Sequence, residues 1–330
     1  MVAAPRVAVI VPTYQRADRL PHLIAALETQ TLPYSEFEVI ISDDCSADRT
    51  ADVLAELASR SPLNLRVVRT DRNSGPAVAR NIGWRSTQAS LLAFFDDDCL
   101  PTPRWLEAGI AFFNELDVGI VQGRTIPDPS SPLDPYSTLG YKTVTQSIRG
   151  LTNRYEGCNI FYRRAVLEEV GGFDETLAVS LISGGRSYFF GDDSGAAWAA
   201  RRLGAGDRFA ADALMHHEIR TRGIRWYLRW ALLHRNWPLL VRRFPEMRES
   251  LWFRFFLWPR HAAILLAGAG TAVGVVWPPG FVLTVPFLAH YLPWRLKKDE
   301  FLGRAAEVVF DVLVMGSIAV GAVRQRTPML

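Results

Sequence analysis

The chain has few features that would tie it together covalently or mark it for a simple ligand class. Only three cysteines occur in 330 residues, Cys45, Cys99 and Cys158. They are odd in number and too widely separated for a zinc ribbon or a redox pair, so reduced thiols in a cytosolic setting are expected, packed as small buried filler. Net charge is nearly absent: Lys plus Arg number 37 against 34 for Asp plus Glu, which leaves no global excess to attract nucleic acid. Neither G-x-x-x-x-G-K-S/T nor G-x-G-x-x-G follows the first apolar run, so a P-loop and a dinucleotide-type pyrophosphate turn are excluded. A phosphate bound here must be held by side chains and a cation. The apolar run within residues 1–12 is too short, and is closed by a proline, to be a secretion signal; it reads as a strand.

Short apolar runs alternate with amphipathic stretches. Residues 7–11, 37–41, 65–68, 91–95 and 118–122 are apolar runs of strand length. Between them, Leu20, Leu23, Ile24 and Leu27 fall on one helical face with Asp18 placed to cap it. Val53, Leu54 and Leu57 do the same behind Asp48, residues 76–87 form a third helix, and 127–135, rich in Pro, Ser and Asp, must be loop. Such alternation predicts an α/β domain with an open, mostly parallel sheet flanked by helices, whose ligands bind beyond the carboxyl ends of the strands. Thr13 and Tyr14, Asp43 and Asp44, and Asp96 to Asp98 all fall there. The run Leu91 to Phe95 delivers three adjacent carboxylates, Asp96, Asp97 and Asp98, to that edge. They repel one another and need a compensating cation or donors, and oxygen ligands suit Mg²⁺ or Mn²⁺; a solvated acidic turn is the alternative.

Four segments carry a resemblance. Val9-Ile10-Val11-Pro12-Thr13-Tyr14-Gln15-Arg16, then Ser42-Asp43-Asp44-Cys45-Ser46-Ala47-Asp48-Arg49-Thr50, then Asn73-Ser74-Gly75-Pro76-Ala77-Val78-Ala79-Arg80-Asn81, then Phe95-Asp96-Asp97-Asp98 resemble, in order, the signatures of the family 2 inverting glycosyltransferases. The resemblance implies the GT-A fold and a nucleotide-activated sugar donor. It implies that Thr13, Tyr14 and Asp44 contact the base, Arg80 lies by the nucleotide, Asp96 binds ribose and Asp98 ligates Mg²⁺ or Mn²⁺, with Pro12, Arg16 and Asp97 in the same nucleotide site. The residue types agree: Tyr14 offers a stacking face, and Asp44 accepts hydrogen bonds from a pyrimidine ring nitrogen. A loop-covering role for Tyr14, and a surface pair of Arg80 with Asp43 or Asp71, are the structural alternatives.

The resemblance continues through Glu156-Gly157-Cys158-Asn159-Ile160-Phe161-Tyr162-Arg163-Arg164-Ala165-Val166 and Gly171-Gly172-Phe173-Asp174-Glu175, where the acceptor side begins. Asn159 is placed either to hydrogen-bond a sugar hydroxyl or to cap a turn. Gly191-Asp192-Asp193-Ser194-Gly195 precedes an alanine-rich helix ending at Gly204. The family commonly has Glu-Asp there, the second acid being the catalytic base, so Asp193 inherits that role and Asp192 departs from the commoner residue; simple capping of the helix is the alternative. Of His216 and His217, the resemblance favours His216 near the metal or diphosphate. Arg222-Gly223-Ile224-Arg225-Trp226 resembles the Q-x-x-R-W of processive polysaccharide synthases with Arg222 in place of Gln, which favours one sugar per encounter and puts Arg222 and Trp226 on the acceptor side.

Between residues 219 and 260 there are ten arginines, no lysine, and only Glu246 and Glu249 against them, with five tryptophans interleaved. Residues 262–277 and 281–294 are apolar around Pro278-Pro279-Gly280 and precede Arg295, Lys297 and Lys298. This is the pattern of a membrane hairpin with cytoplasmic ends, spanning or interfacial. A third apolar stretch, 305–323, carries Glu307 and Asp311 and is expected to lie on the membrane surface or pack on the hairpin; a soluble helical subdomain or dimer interface is the alternative. The expectation is therefore a catalytic GT-A domain over 1–240 and a membrane-associated basic and apolar region over 241–330. It moves one sugar from a uridine or other pyrimidine diphosphate donor to a saccharide or lipid-linked acceptor at the cytoplasmic membrane face. A processive synthase and a non-catalytic sugar-nucleotide or lipid-binding module are the competing classes.

Overall fold

A computed structural model describes residues 5–133, 143–152, 154–180, 187–189, 191–292 and 300–330. They form two compact units, one from the described parts of Met1–Pro132 and Thr145–Ile219, the other from those of Leu133–Val144 and Arg220–Leu330.

The first unit opens with β1 (Val7–Thr13), α1 (Leu20–Glu28), β2 (Phe37–Asp43), α2 (Thr50–Arg60), β3 (Leu65–Arg69), α3 (Pro76–Arg85) and β4 (Leu91–Phe94). Leu20, Leu23, Ile24 and Leu27 of α1 are buried, as their spacing requires. Asp18 does not cap this helix: Arg19 holds the N-cap position without a side-chain bond, and Pro21 in the first turn removes one of the donors a cap would serve. Asp48 does act at its helix, accepting the Thr50 N–H at 3.1 Å from just outside the N-cap residue Arg49. Strands β1, β2 and β4 are buried along their whole length, because helices cover both faces of parallel strands.

Next come β5 (Cys99–Pro101), α4 (Trp105–Ile110) and β6 (Val118–Pro127), then β7 (Thr143–Val144) of the second unit. The first unit resumes with β8 (Ile160–Arg163), α5 (Arg164–Glu169), the small pair β9 (Ala178–Ser180) and β10 (Ser187–Phe189), α6 (Asp192–Arg202) and β11 (Gly206–His217). Eight strands form one sheet in the order β3-β2-β1-β4-β8-β6-β11-β5. The pairings among β3, β2, β1 and β4 are parallel, as is β6 with β11, whereas β8 runs antiparallel to both its neighbours and β5 to β11. The sheet is thus parallel where the nucleotide signatures fall and mixed beyond them.

The second unit pairs β7 with β12 (Arg220–Thr221) and continues as α7 (Ile224–Leu233), α8 (Trp237–Arg243), α9 (Pro259–Val276), α10 (Val285–Tyr291) and α11 (Glu300–Gln325). The expected second hairpin arm, 281–294, is not one helix over its described residues, 281–292. A 3-10 segment, Pro278–Thr284, precedes the short α10, since Pro278, Pro279 and Pro286 each withhold a backbone donor. Trp294, Arg295, Lys297 and Lys298 lie outside the described residues, as does Pro135. Among the described residues, the helices long and apolar enough to cross a membrane are Pro259–Val276 and Ala305–Gln325. Asp311 is tolerated in the latter because Arg260 Nε lies 2.8 Å away and the Tyr291 hydroxyl donates to it at 2.5 Å.

Candidate functional site

Strand β4 stops at Phe94, opposite Ile10, while β1 runs on to Thr13. Thr13 therefore comes level with the acidic loop after β4. Its hydroxyl donates to Asp97 Oδ2 at 2.9 Å, and Arg16 Nε donates to Asp97 Oδ1 at 3.1 Å. Burial pushes the Asp97 carboxyl up to about 7, against the pull of Arg16, with Asp98 adding to the rise. Pro12 is buried within β1, and Tyr14, 41% exposed, leaves its ring open to a stacking partner.

The three neighbouring carboxylates divide their partners. Asp96 turns to Arg80, a residue 5% exposed on the inner face of α3. Arg80 Nη2 donates to Asp96 at 2.6 Å and Nη1 to Asp192 at 2.8 Å, joining groups 112 residues apart. The expected alternative, a surface pair of Arg80 with Asp43 or Asp71, does not occur; Asp43 is held by Arg69 at 2.5 Å. Burial alone would lower the Arg80 pKa, but Asp96, Asp192 and Asp193 outweigh it and hold the guanidinium more firmly charged than usual. Gly157 makes room for this arrangement: a Cβ there would stand 2.9 Å from Arg80 Nη2 and 3.4 Å from the Asp193 Cβ.

Asp192 and Asp193 form the first turn of α6, where the helix dipole favours negative charge. Asp193 accepts the Gly157 N–H at 2.9 Å and the Ser194 N–H at 2.7 Å. Burial, reinforced by Asp192 and opposed by Arg80, pushes Asp193 up to about 7. Burial also raises Asp192, with Arg80 opposing it. A partly exposed carboxyl that changes charge near neutrality suits proton transfer.

Asp98 faces β11. His217 Nε2 lies 3.5 Å from Asp98 Oδ1, and ligand atoms of Asp98, Cys99 and His217 all fall within 4.8 Å of one another. This corrects the expectation of His216: successive residues on a strand point to opposite faces, and it is the second histidine that turns toward Asp98. His217 Nδ1 is 2.9 Å from the Glu218 carbonyl oxygen, which only accepts, so Nδ1 carries the proton and Nε2 remains to bind a cation. Burial pushes the Cys99 thiol well above its ordinary range, leaving it neutral. The Asp98 carboxylate oxygen suits Mg²⁺ or Mn²⁺, and the imidazole nitrogen stands beside it as a further donor.

Other expected residues are placed differently. The Asp44 backbone adjoins Thr13, but its carboxylate accepts from Thr70 Oγ1 at 2.9 Å, Ser74 N at 2.8 Å and Gly75 N at 2.6 Å. It braces the loop before α3, where Gly75 takes a φ of 94°. Asn159 is fully buried: it accepts from Trp105 Nε1 and donates to the Arg124 and Ala213 carbonyls. The acceptor role considered for it is corrected, since its amide is enclosed in the core with both N–H groups and the oxygen already engaged. Asn159→Ala is expected to cost about 3 kcal/mol or more, as three buried groups lose their partners; urea unfolding checks this, and an unchanged midpoint would contradict it. Arg222 and Trp226 belong to the second unit, where the Arg222 guanidinium lies 6.0 Å from the Trp226 ring centroid.

Three participants were not singled out from the sequence. Glu218 donates its N–H to the Asp98 carbonyl and sets its carboxylate 3.9 Å from Arg16. Asn81 ties α3 to the Gly-Gly-Phe segment by donating to the Phe173 carbonyl and accepting the Phe173 N–H. Gly157 supplies both space and an N–H. The Asn81 and Gly157 positions stood inside the quoted motifs, but nothing in a linear motif states which side chain a small residue makes room for.

A family model described as glycosyl transferase family 2 matches residues 8–171. Glycosyltransferase AglE of Haloferax volcanii is 31% identical over 224 residues, covering 66% of this chain and 69% of the relative. Among solved structures, the mannosyltransferase PcManGT of Pyrobaculum calidifontis, in complex with GDP-Man and Mn²⁺, matches at a TM-score of 0.61 and 19% identity, over 98% of this chain and 87% of that one. Residues 1–349 of S. aureus TarS in complex with UDP-GlcNAc match at 0.56 and 18%, over 98% and 92%. At these identities the structural likeness establishes a shared fold.

Proposed function

The chain belongs to glycosyl transferase family 2, and from that premise we propose that it transfers one sugar, with inversion, from a nucleoside diphosphate donor to a hydroxyl of a saccharide or lipid-linked acceptor, with Asp193 as general base. The protein is a glycosyltransferase of the GT-A type; the donor, the stereochemistry and the base are the proposal. Asp193 takes the acceptor hydroxyl proton, the acceptor oxygen bonds to the anomeric carbon, and the bond from that carbon to the diphosphate breaks with its electron pair on the leaving phosphate oxygen. Asp192, hydrogen-bonded to Arg80, is the fixed member of the acid pair, which leaves the proton to Asp193.

The exposed Tyr14 ring takes the base, a uridine or other pyrimidine, and Asp44 acts by shaping the adjoining loop. Asp96, with a side chain 36% exposed, faces the ribose hydroxyls, while Arg16 and Thr13 hold Asp97 in place. Asp98 and His217 would hold a divalent ion, which would supply positive charge to the diphosphate leaving group. The second unit is assigned to the cytoplasmic membrane face, and two long apolar helices among the described residues are fewer than a polymer channel needs, which supports transfer of single sugars.

The observation that carries this reading is the buried Arg80 bridge, which brings the donor-side acid Asp96 and the acid pair at α6 to one guanidinium. The test is nucleoside diphosphate release across a panel of UDP-, CDP-, TDP- and GDP-sugars with Mg²⁺, Mn²⁺ or chelator. Metal-dependent release from a pyrimidine donor is expected. Release from GDP-sugars alone would overturn the base assignment, and no release from any donor would overturn transfer.

A further inference from the structure

We infer that α11 lies in the plane of an anionic lipid leaflet and does not cross the bilayer, although its length and composition would allow a crossing. This deepens the membrane assignment proposed above and rests on it. One face of α11 is packed from Phe310 to Gln325 within its own unit. Phe310 stacks on Trp230 at 5.4 Å and meets Tyr227 at 6.0 Å. Further along, Ser317 donates to the Leu232 carbonyl at 3.0 Å, Gly321 closes directly on the Arg235 carbonyl, and Arg242 donates to the Gln325 carbonyl at 3.5 Å.

These contacts cover residues 310–325, about 22 Å of helix at 1.5 Å per residue, against a hydrocarbon core of about 30 Å. The segment making them, α7 to α8, carries Arg225, Arg229, Arg235, Arg242 and Arg243 and no acidic residue. A crossing α11 would draw these arginines to hydrocarbon depth, where charge is strongly disfavoured.

The opposite face is bare and apolar. Val309, Val312, Leu313, Val320 and Val323 are exposed, Val323 by 80%, and their spacing puts them on a single stripe. Arg324 and Arg326 are exposed at its carboxyl end, and Arg225 and Arg229 are exposed on the neighbouring α7. An apolar stripe bordered by arginines matches the acyl boundary beneath anionic headgroups.

The test uses the full chain with Cys45→Ser, and nitroxide labels placed singly at Val309→Cys, Gly316→Cys and Val323→Cys. These positions share the stripe, and a Cβ at Gly316 meets nothing within 4 Å. Vesicles of phosphatidylglycerol and phosphatidylcholine are compared with phosphatidylcholine alone, and label depth is read from collisions with oxygen and a nickel chelate. All three labels are expected at one shallow depth, with binding about tenfold weaker on neutral vesicles or in high salt. A deepest label at 316 means a crossing helix and overturns the inference. So do three labels in water, or spin–spin broadening between copies that lipid does not relieve. Donor hydrolysis measured on the same vesicles separates the outcomes: hydrolysis with water-exposed labels sinks the lipid inference alone, and shallow labels without hydrolysis sink the transferase reading alone.

Discussion

Replacing Asp193 by asparagine is expected to lower kcat about 10³-fold, the share a positioned general base contributes, with the donor KM unchanged. Asparagine matches the size of the side chain, but its NH₂ replaces one of the two oxygens that accept from the Gly157 and Ser194 amides. A stability loss of about 1 kcal/mol accompanies the change, too little to unfold the domain. The pH profile provides the second readout. Because burial pushes Asp193 up to about 7, the wild-type rate falls as pH drops below about 7, where the base takes up a proton, and is flat above it. The residual rate of the variant lacks that limb. The same shift means that the folded chain binds this proton more tightly than the unfolded chain does. The group's stabilising contribution is complete below about pH 4 and is lost as pH rises through about 7. A variant with near-normal kcat would remove Asp193 from the reaction.

Arg80→Met is expected to have the largest effect on stability, about 3 kcal/mol, because it strips the cation from the buried Asp192 carboxylate as well as from the partly exposed Asp96. Arg80 donates to Asp96 and Asp192 from a site 5% exposed, and methionine fills the volume without replacing either bond. Activity changes in a defined direction as well. Arg80 opposes the rise of the Asp193 pKa, so its removal shifts the acid limb of the rate to higher pH. Adding Asp192→Asn to Arg80→Met removes one orphaned charge, so the double variant regains part of the stability and not the activity. Urea unfolding of wild type, Arg80→Met, Asp192→Asn and the double variant, with their pH–rate profiles, measures both effects. A single variant within about 1 kcal/mol of wild type, with its acid limb in place, would show that the bridge matters to neither.

Much of the site was legible because its polar groups follow apolar runs. Strands β1, β2 and β4 read as buried from Val7, Phe37 and Leu91 onward, and parallel pairing then obliges their carboxyl ends to share an edge. What misled the reading was phase and burial. His216 and His217 are equivalent in sequence, and β11 carries a register shift between Ala210 and Leu214, so its inward face cannot be counted from its start. Asn159 has the chemistry of a sugar ligand, yet Trp105, Arg124 and Ala213, all from distant segments, engage its amide inside the core. In the second unit, apolar length suggested a hairpin with a helix beside it, but prolines broke one arm.

The sequence by itself determined the family, the α/β alternation and the residue types at the sheet edge, because each depends on local order along the chain. Only the tertiary structure decided which of three adjacent aspartates meets which partner, that one guanidinium joins Asp96 to Asp192, and that α11 is packed from Phe310 to Gln325 against an arginine-bearing segment. Those are matters of distance between residues far apart in the chain, and a hydrogen bond or a buried charge is worth its energy only at a distance that folding sets.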